Sequence, residues 1–349
     1  PRRFRGPHAS FSGRVALVAR PLRRLEGMNI GGWLRGGLAW LGRQGTRAIA
    51  VSLVVGILLP PLAALLKPAF AVSVFCLMVL AFLRVEPAAL WAVFARPWLV
   101  IAASLWTMVV VPLVFCPLFE WVGLGAAGRE GLLTGLVLQA AAPPVLSATA
   151  FSAILGLDAA VSLATLIVAT AMTPLTAPIF VALFAGAGLS IDPLSLALRL
   201  AAFLGGAFAL AYLLRRLLGA SKVAAWRNEI DGASVIMLMI FGIALMDGVT
   251  AHALADPKLV LALTALAFAL ALGLFALTAL IFKKAGFRRS VAIGFSGGHR
   301  NMAIMLAAGG AAPDLTWVYF ATAQFPIYLV PLLISPLIAR WLASRLPPW

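Results

Sequence analysis

FSGGHRNMAIMLAAGG, residues 295–310, decides how this chain is read. An apolar segment carries two glycines, then His299, Arg300 and Asn301, and then turns apolar again. A charged side chain at the centre of a lipid-buried helix costs about 2.5–3.5 kcal/mol on insertion scales. Such a residue faces protein or a water-filled cavity, and it has a partner. Two questions follow: whether the surroundings are a membrane, and what compensates the arginine.

Composition answers the first. Of the 349 residues, 63% are hydrophobic and 11% are charged. The mean hydropathy is +1.05. A soluble domain lacks the interior to hide that much apolar surface. The apolar runs continue over about 20 residues, which suits helices, whereas barrel strands alternate over about 10. The formal charge of +16 comes from 27 Lys and Arg against 11 Asp and Glu, and it gathers in the N-terminal arm and between apolar runs. Membrane topology explains that pattern, since basic loops stay beside anionic lipid on the cytoplasmic side. Membrane lipid is therefore an expected partner and nucleic acid is not. Cys76 and Cys116 lie inside apolar runs, and His8, His252 and His299 are far apart. Neither spacing suits a metal site, and no cofactor is expected.

Ten apolar spans are expected, at 46–66, 68–84, 97–119, 130–156, 158–185, 195–218, 231–250, 257–282, 289–312 and 314–343. Residues 1–45 read as a basic arm with seven arginines in its first 27 positions, Met28 a candidate start, and an interfacial helix over 29–45. Arg84 and Arg96, then Arg215, Arg216, Lys222 and Arg227, then Lys283, Lys284, Arg288 and Arg289 fall in even-numbered loops. Both termini are thus expected on the cytoplasmic side, in a bacterial-type plasma (inner) membrane.

Two spans are interrupted. The fourth contains AAAPPVLSATAFSAILG (140–156), where Pro143 and Pro144 remove two backbone donors. The ninth contains GFSGGHRN (294–301), where paired glycines are expected to loosen the helix. Each is the fourth span of a five-span half, and each is followed by an aspartate, Asp158 or Asp314, and a span holding Thr170 and Pro174 or Thr322 and Pro326. Five is odd, so the second half enters the membrane from the opposite side. This is the pattern of an inverted repeat, 46–185 and 195–343, whose broken helices meet near the midplane.

PPVLSATAFSAILGLDAAVSLATLIVAT followed by PLTAP, with GGHRNMAIMLAA in the second half, resembles the bile acid:sodium symporter family and its wider superfamily. The resemblance implies ten helices in two inverted five-helix repeats, with crossing helices 4 and 9. A panel of helices 1, 2, 6 and 7 would face a core of helices 3–5 and 8–10. Family members are secondary transporters, mostly of organic anions. Carried over by position, a family Ser-Asn pair falls on Ala148 and Thr149, and fifth-helix Ser and Thr ligands fall on Ser162 and Leu166. The ninth-helix glutamate shared by the sodium sites falls on Ser296, and a glutamine falls on Arg300. Asn301 matches. A guanidinium offers donors and no acceptor, so it repels a cation. Sodium coupling of the family kind is therefore not expected, and the coupling ion is left open, with a proton one candidate.

Three partners for Arg300 stay open: carbonyls of the broken helices, polar side chains such as Gln139 or Gln324, or an anionic substrate. The arginine either meets that anion or ties the crossing together. Around it, Gly298, Pro143, Pro144, Ser147, Thr149, Ser162, Ser296 and Asn301 are the candidate crossing or substrate residues. Thr170, Gln139 and Gln324 stand further out, and His299 is a candidate proton relay. The expected function is transport of a small organic anion by alternating access, not catalysis. An intramembrane enzyme, a receptor or scaffold, and an arsenite-exporter-like protein are the rivals. The last would want a thiol in 130–156, which has none.

Overall fold

The computed structural model describes residues 30–42, 45–85, 96–126, 128–185 and 192–343. Among the described residues every regular element is helical. In chain order the helices are α1 (Ile30–Gly42), α2 (Gly45–Leu58), α3 (Pro60–Leu66), α4 (Phe70–Arg84), α5 (Pro97–Leu105), α6 (Val111–Trp121), α7 (Glu130–Ala141), α8 (Leu146–Ile154) and α9 (Ala159–Phe184). They continue as α10 (Pro193–Leu218), α11 (Ala220–Ala225), α12 (Arg227–Leu245), α13 (Val249–Ala255), α14 (Pro257–Ile281), α15 (Phe287–Gly298), α16 (Met302–Gly309) and α17 (Asp314–Ala343). Among the described residues, seven helical stretches are long and apolar enough to cross a membrane: Pro60–Arg84, Pro97–Trp121, Ala159–Phe184, Pro193–Leu218, Arg227–Ala255, Pro257–Ile281 and Asp314–Ile338. The chain is an all-α, polytopic integral membrane protein.

The basic arm up to residue 29 lies outside the described residues. The helix expected over 29–45 corresponds to α1, which packs on the start of α12, with the Arg35 guanidinium 5.0 Å from the centre of the Trp226 ring. One boundary differs from expectation. Pro68 does not separate two spans; it lies in a 3₁₀ turn, Lys67–Ala69, between α3 and α4. The helix ends instead at Leu58, and Leu59 leaves helical geometry at φ −122° and ψ 68°. Pro60 and Pro61 follow it, and the residue before a proline is pushed out of the α region. A single proline near the start of a helix is tolerated, so Pro68 breaks nothing.

The turn at Leu59 folds α2 and α4 onto the same partner. Gly242 meets Ser52, and Thr250 Oγ1 donates to the Ile57 carbonyl at 2.9 Å, so α2 and α12 run parallel. Phe70 stacks on Phe241 and Arg84 pairs with Asp231 at 2.6 Å, so α4 runs antiparallel to α12. α10 lies along α4 through Phe75 against Phe203 and Phe82 against Phe208. Arg215 Nη1 donates to the Leu83 and Val85 carbonyls, satisfying the end of α4. At the other end of α4, Phe70, Phe241, Trp317 and Phe320 form an aromatic cluster joining α4, α12 and α17. Lys67 covers it, 2.7 Å from Asp247 and 5.8 Å from the centre of the Trp317 ring.

Asp158 organises the start of α9. Its carboxylate accepts from the Val161 amide at 3.1 Å and pairs with Arg96 at 3.2 Å and Arg289 at 3.3 Å. It therefore links the starts of α5, α9 and α15. The pairs are partly exposed, so the cap carries most of the effect. Asp158→Ala should cost about 1–2 kcal/mol, read as a melting temperature lowered by a few degrees in detergent, with Asp158→Asn retaining part of the loss.

Candidate functional site

The two expected interruptions meet. The fourth span is split into α7 and α8 around Ala142–Val145, and the ninth into α15 and α16 around His299–Asn301. Pro144 and Arg300 form an antiparallel bridge. The Val145 amide donates to the His299 carbonyl at 3.0 Å, and the Asn301 amide donates to the Pro143 carbonyl at 2.7 Å. Each broken segment satisfies the other's backbone, which is the condition for irregular chain at membrane depth. The N-termini of α8 and α16 both begin at this crossing and bring partial positive charge to it.

The glycines have a role other than the expected one. Gly297 and Gly298 remain in the last turn of α15, and the helix ends at His299, with φ −113° and ψ 102°. A Cβ on Gly297 would collide with the Thr278 side chain, and one on Gly298 with the Ala271 backbone carbonyl. The pair permits close approach of α15 to α14 and does not break the helix. Gly298 serves that packing, and it lines none of the cavities around the crossing.

Arg300 is buried, 2% exposed, and its acceptors explain the prolines. Nη2 donates to the Ala140 carbonyl at 2.8 Å and to the Thr107 carbonyl. The Ala140 carbonyl has no helical donor because its i+4 partner is Pro144, and Pro143 cannot substitute. Residues Trp106–Val110 form a π turn in which the Val111 amide bonds to the Trp106 carbonyl. The next amide in that register would be residue 112, a proline, so the Thr107 carbonyl is stranded too. One guanidinium nitrogen fills both vacancies. Each unpaired buried carbonyl would cost about 1–3 kcal/mol. Among the described residues Arg300 Nε and Nη1 have no hydrogen-bond partner, and no carboxylate pairs with the guanidinium.

A cavity of about 350 Å³ lies against this arginine. One face of α4 lines it from Val74 to Arg84, opposite Ser234 and Phe241 of α12. Ser147, Arg300, Asn301, Gln324 and Tyr328 supply its polar side. Among the described residues the Asn301 side chain has no hydrogen-bond partner, and it lines this cavity. Thr170 and Asn301 both line a smaller adjoining cavity with Pro144.

The remaining expected residues divide. Thr149, Ser162 and Ser296 come together as a chain of hydroxyls, 3.2 Å and 3.3 Å apart, between α8, α9 and α15. The resemblance carried sodium-ligand positions onto these three, and among the described residues no carboxylate joins them. Gln139 lies away from the cavity and accepts from the Tyr319 hydroxyl. Gln324 lines the cavity while its Nε2 donates to the Phe320 carbonyl at 3.3 Å. His299 is fully buried, with Nδ1 3.1 Å from the Phe295 carbonyl and the Pro326 backbone also beside the ring, and it lines none of the cavities around the crossing. Thr107, Ala140 and Pro112 are missing from the sequence reading. Pro112 in an otherwise continuous apolar span was the available signal.

No family model matches the chain, and no curated protein matches it significantly. The fold and the site define a helical integral membrane protein with two interrupted helices crossing beside a buried arginine and a polar-sided cavity.

Proposed function

We propose that the chain is a secondary transporter of an organic anion, working by alternating access and related in plan to bile acid:sodium symporters. The observation that carries this reading is Arg300, a buried cation without an acidic partner among the described residues, at the wall of a 350 Å³ cavity. A buried charge lacking a counterion is costly, and a bound anion removes that cost. The side-chain amide of Asn301 and the helix N-termini at the crossing favour the same charge. Ten spans in two inverted halves accommodate the helices: the shorter α2 and the two broken pairs α7–α8 and α15–α16 join the seven long stretches. In this plan α2, α4, α10 and α12 form the panel and the helices of the crossing form the core. Motion between them would expose the cavity alternately to each side, with both termini cytoplasmic.

Purified protein screened for thermal stabilisation by organic anions tests the reading, because a ligand raises stability with its concentration over its Kd. Stabilisation by carboxylates and none by matched neutral amides is expected; equal response to both would end the proposal. The hydroxyl chain of Thr149, Ser162 and Ser296 lacks the negative charge that holds a bare cation. Uptake into proteoliposomes should therefore be unchanged when potassium replaces sodium, and a tenfold drop would show sodium coupling. Varying the pH gradient in the same assay decides whether protons are coupled.

A further inference from the structure

Three cavities lie in series. The one beside Arg300 shares Met78, Ala81, Leu146 and Asn301 with a small cavity of about 30 Å³. That small cavity shares Phe82, Val85, Ile167 and Thr170 with a third, of about 530 Å³, enclosed by α4, α9 and α10. The third is lined mainly by apolar side chains, with Arg215 and Thr170 among its few polar members. Its rim residues Phe208 and Tyr212 are 58% and 61% exposed on α10, a helix long and apolar enough to cross the membrane. The mouth therefore faces the position of lipid tails.

We propose that the anion is a single-chain amphiphile that reaches Arg300 sideways from the bilayer, through the gap between α4, α9 and α10, with its tail held in the outer cavity. This rests on the organic-anion reading above. A small hydrophilic anion has no use for an apolar vestibule opening onto lipid, whereas an alkyl chain moves from bilayer to cavity without meeting water. The neck between the cavities is about the volume of one water molecule in the liquid, so the route opens only when α4 and α9 separate. Thr170 and Asn301 border that neck and offer polar atoms to a passing carboxylate. Continuity of the lining connects the apolar cavity to the arginine; charge complementarity selects the headgroup.

Gly205 provides the test. It lines the outer cavity, and a Cβ there would meet nothing within 4 Å, so a larger side chain fills the space without a backbone clash. Saturated carboxylates from butyrate to dodecanoate are measured for binding to protein in nanodiscs of zwitterionic lipid, comparing variants at the same total concentration. In the natural protein, affinity referred to the free aqueous concentration should rise up to roughly fourfold per methylene until the cavity is full. Gly205→Phe should flatten that rise and leave butyrate unchanged, and Gly205→Leu should do so partially, which guards against a misfolded first variant. A chain-length dependence identical in all three proteins, or absent in the natural one, overturns the lateral route while leaving the anion reading standing. A phospholipid that copurifies in the outer cavity and is not displaced by dodecanoate also overturns it. Failure of the anion reading itself is distinct: Arg300→Gln would then bind short and long carboxylates as the natural protein does.

Discussion

Arg300→Gln should lower anion affinity by about 30-fold or more, since truncating one member of a buried charged pair costs 2 kcal/mol or above. The anion-dependent rise in melting temperature should vanish with it. Two effects oppose each other in the unliganded protein. Glutamine is too short to serve both carbonyls that Nη2 now serves, which destabilises. It also removes an uncompensated buried charge, which stabilises. Unliganded stability should accordingly shift by less than affinity does. If Arg300 acted only as a strut across the crossing, the order would reverse, with folded protein lost and the affinity of what remains unchanged. Arg300→Lys refines the result. It keeps the charge but presents a single point donor where a planar fork stood, so affinity should be intermediate.

Gly298→Ala should be among the most damaging single-methyl changes in the chain's second half. The added Cβ would strike the Ala271 carbonyl, and backbone cannot swing aside as a side chain would. Overpacking typically costs 1–3 kcal/mol and more where nothing yields. Here α15 would have to leave α14, moving the residues that present Arg300. A collapsed yield of monodisperse protein is the expected reading. Gly273→Ala, on the same α14 but with open space beyond its Cβ, is the control and should be tolerated. Similar yields for the two variants would show that α14 and α15 do not approach closely.

These two positions also show what a linear sequence discloses. The break at Pro143 and Pro144 was legible because a missing N–H is a property of the residue itself. So was the inward orientation of Arg300, because lipid excludes its charge. The glycines at 297 and 298 misled, because close approach and chain breakage call for the same residue and only the neighbouring helix distinguishes them. Pro68 misled for a related reason: a proline permits a helix start as readily as it forbids an interior, and Pro60 and Pro61 had the stronger claim. The π turn at Trp106–Val110 has no signature of its own beyond Pro112, and the acceptors of Arg300 were invisible without it. Thr149, Ser162 and Ser296 lie on three helices, and their positions were linked only through the resemblance. The cavities arise between helices far apart in sequence, so no local pattern announces them.

The guanidinium that answers two proline-orphaned carbonyls has an evolutionary corollary. Pro112, Pro144 and Arg300 form one interlocked set, and no member can drift alone: loss of the arginine strands two acceptors, and loss of either proline supplies a competing amide. Homologous chains should therefore show these three columns changing in concert.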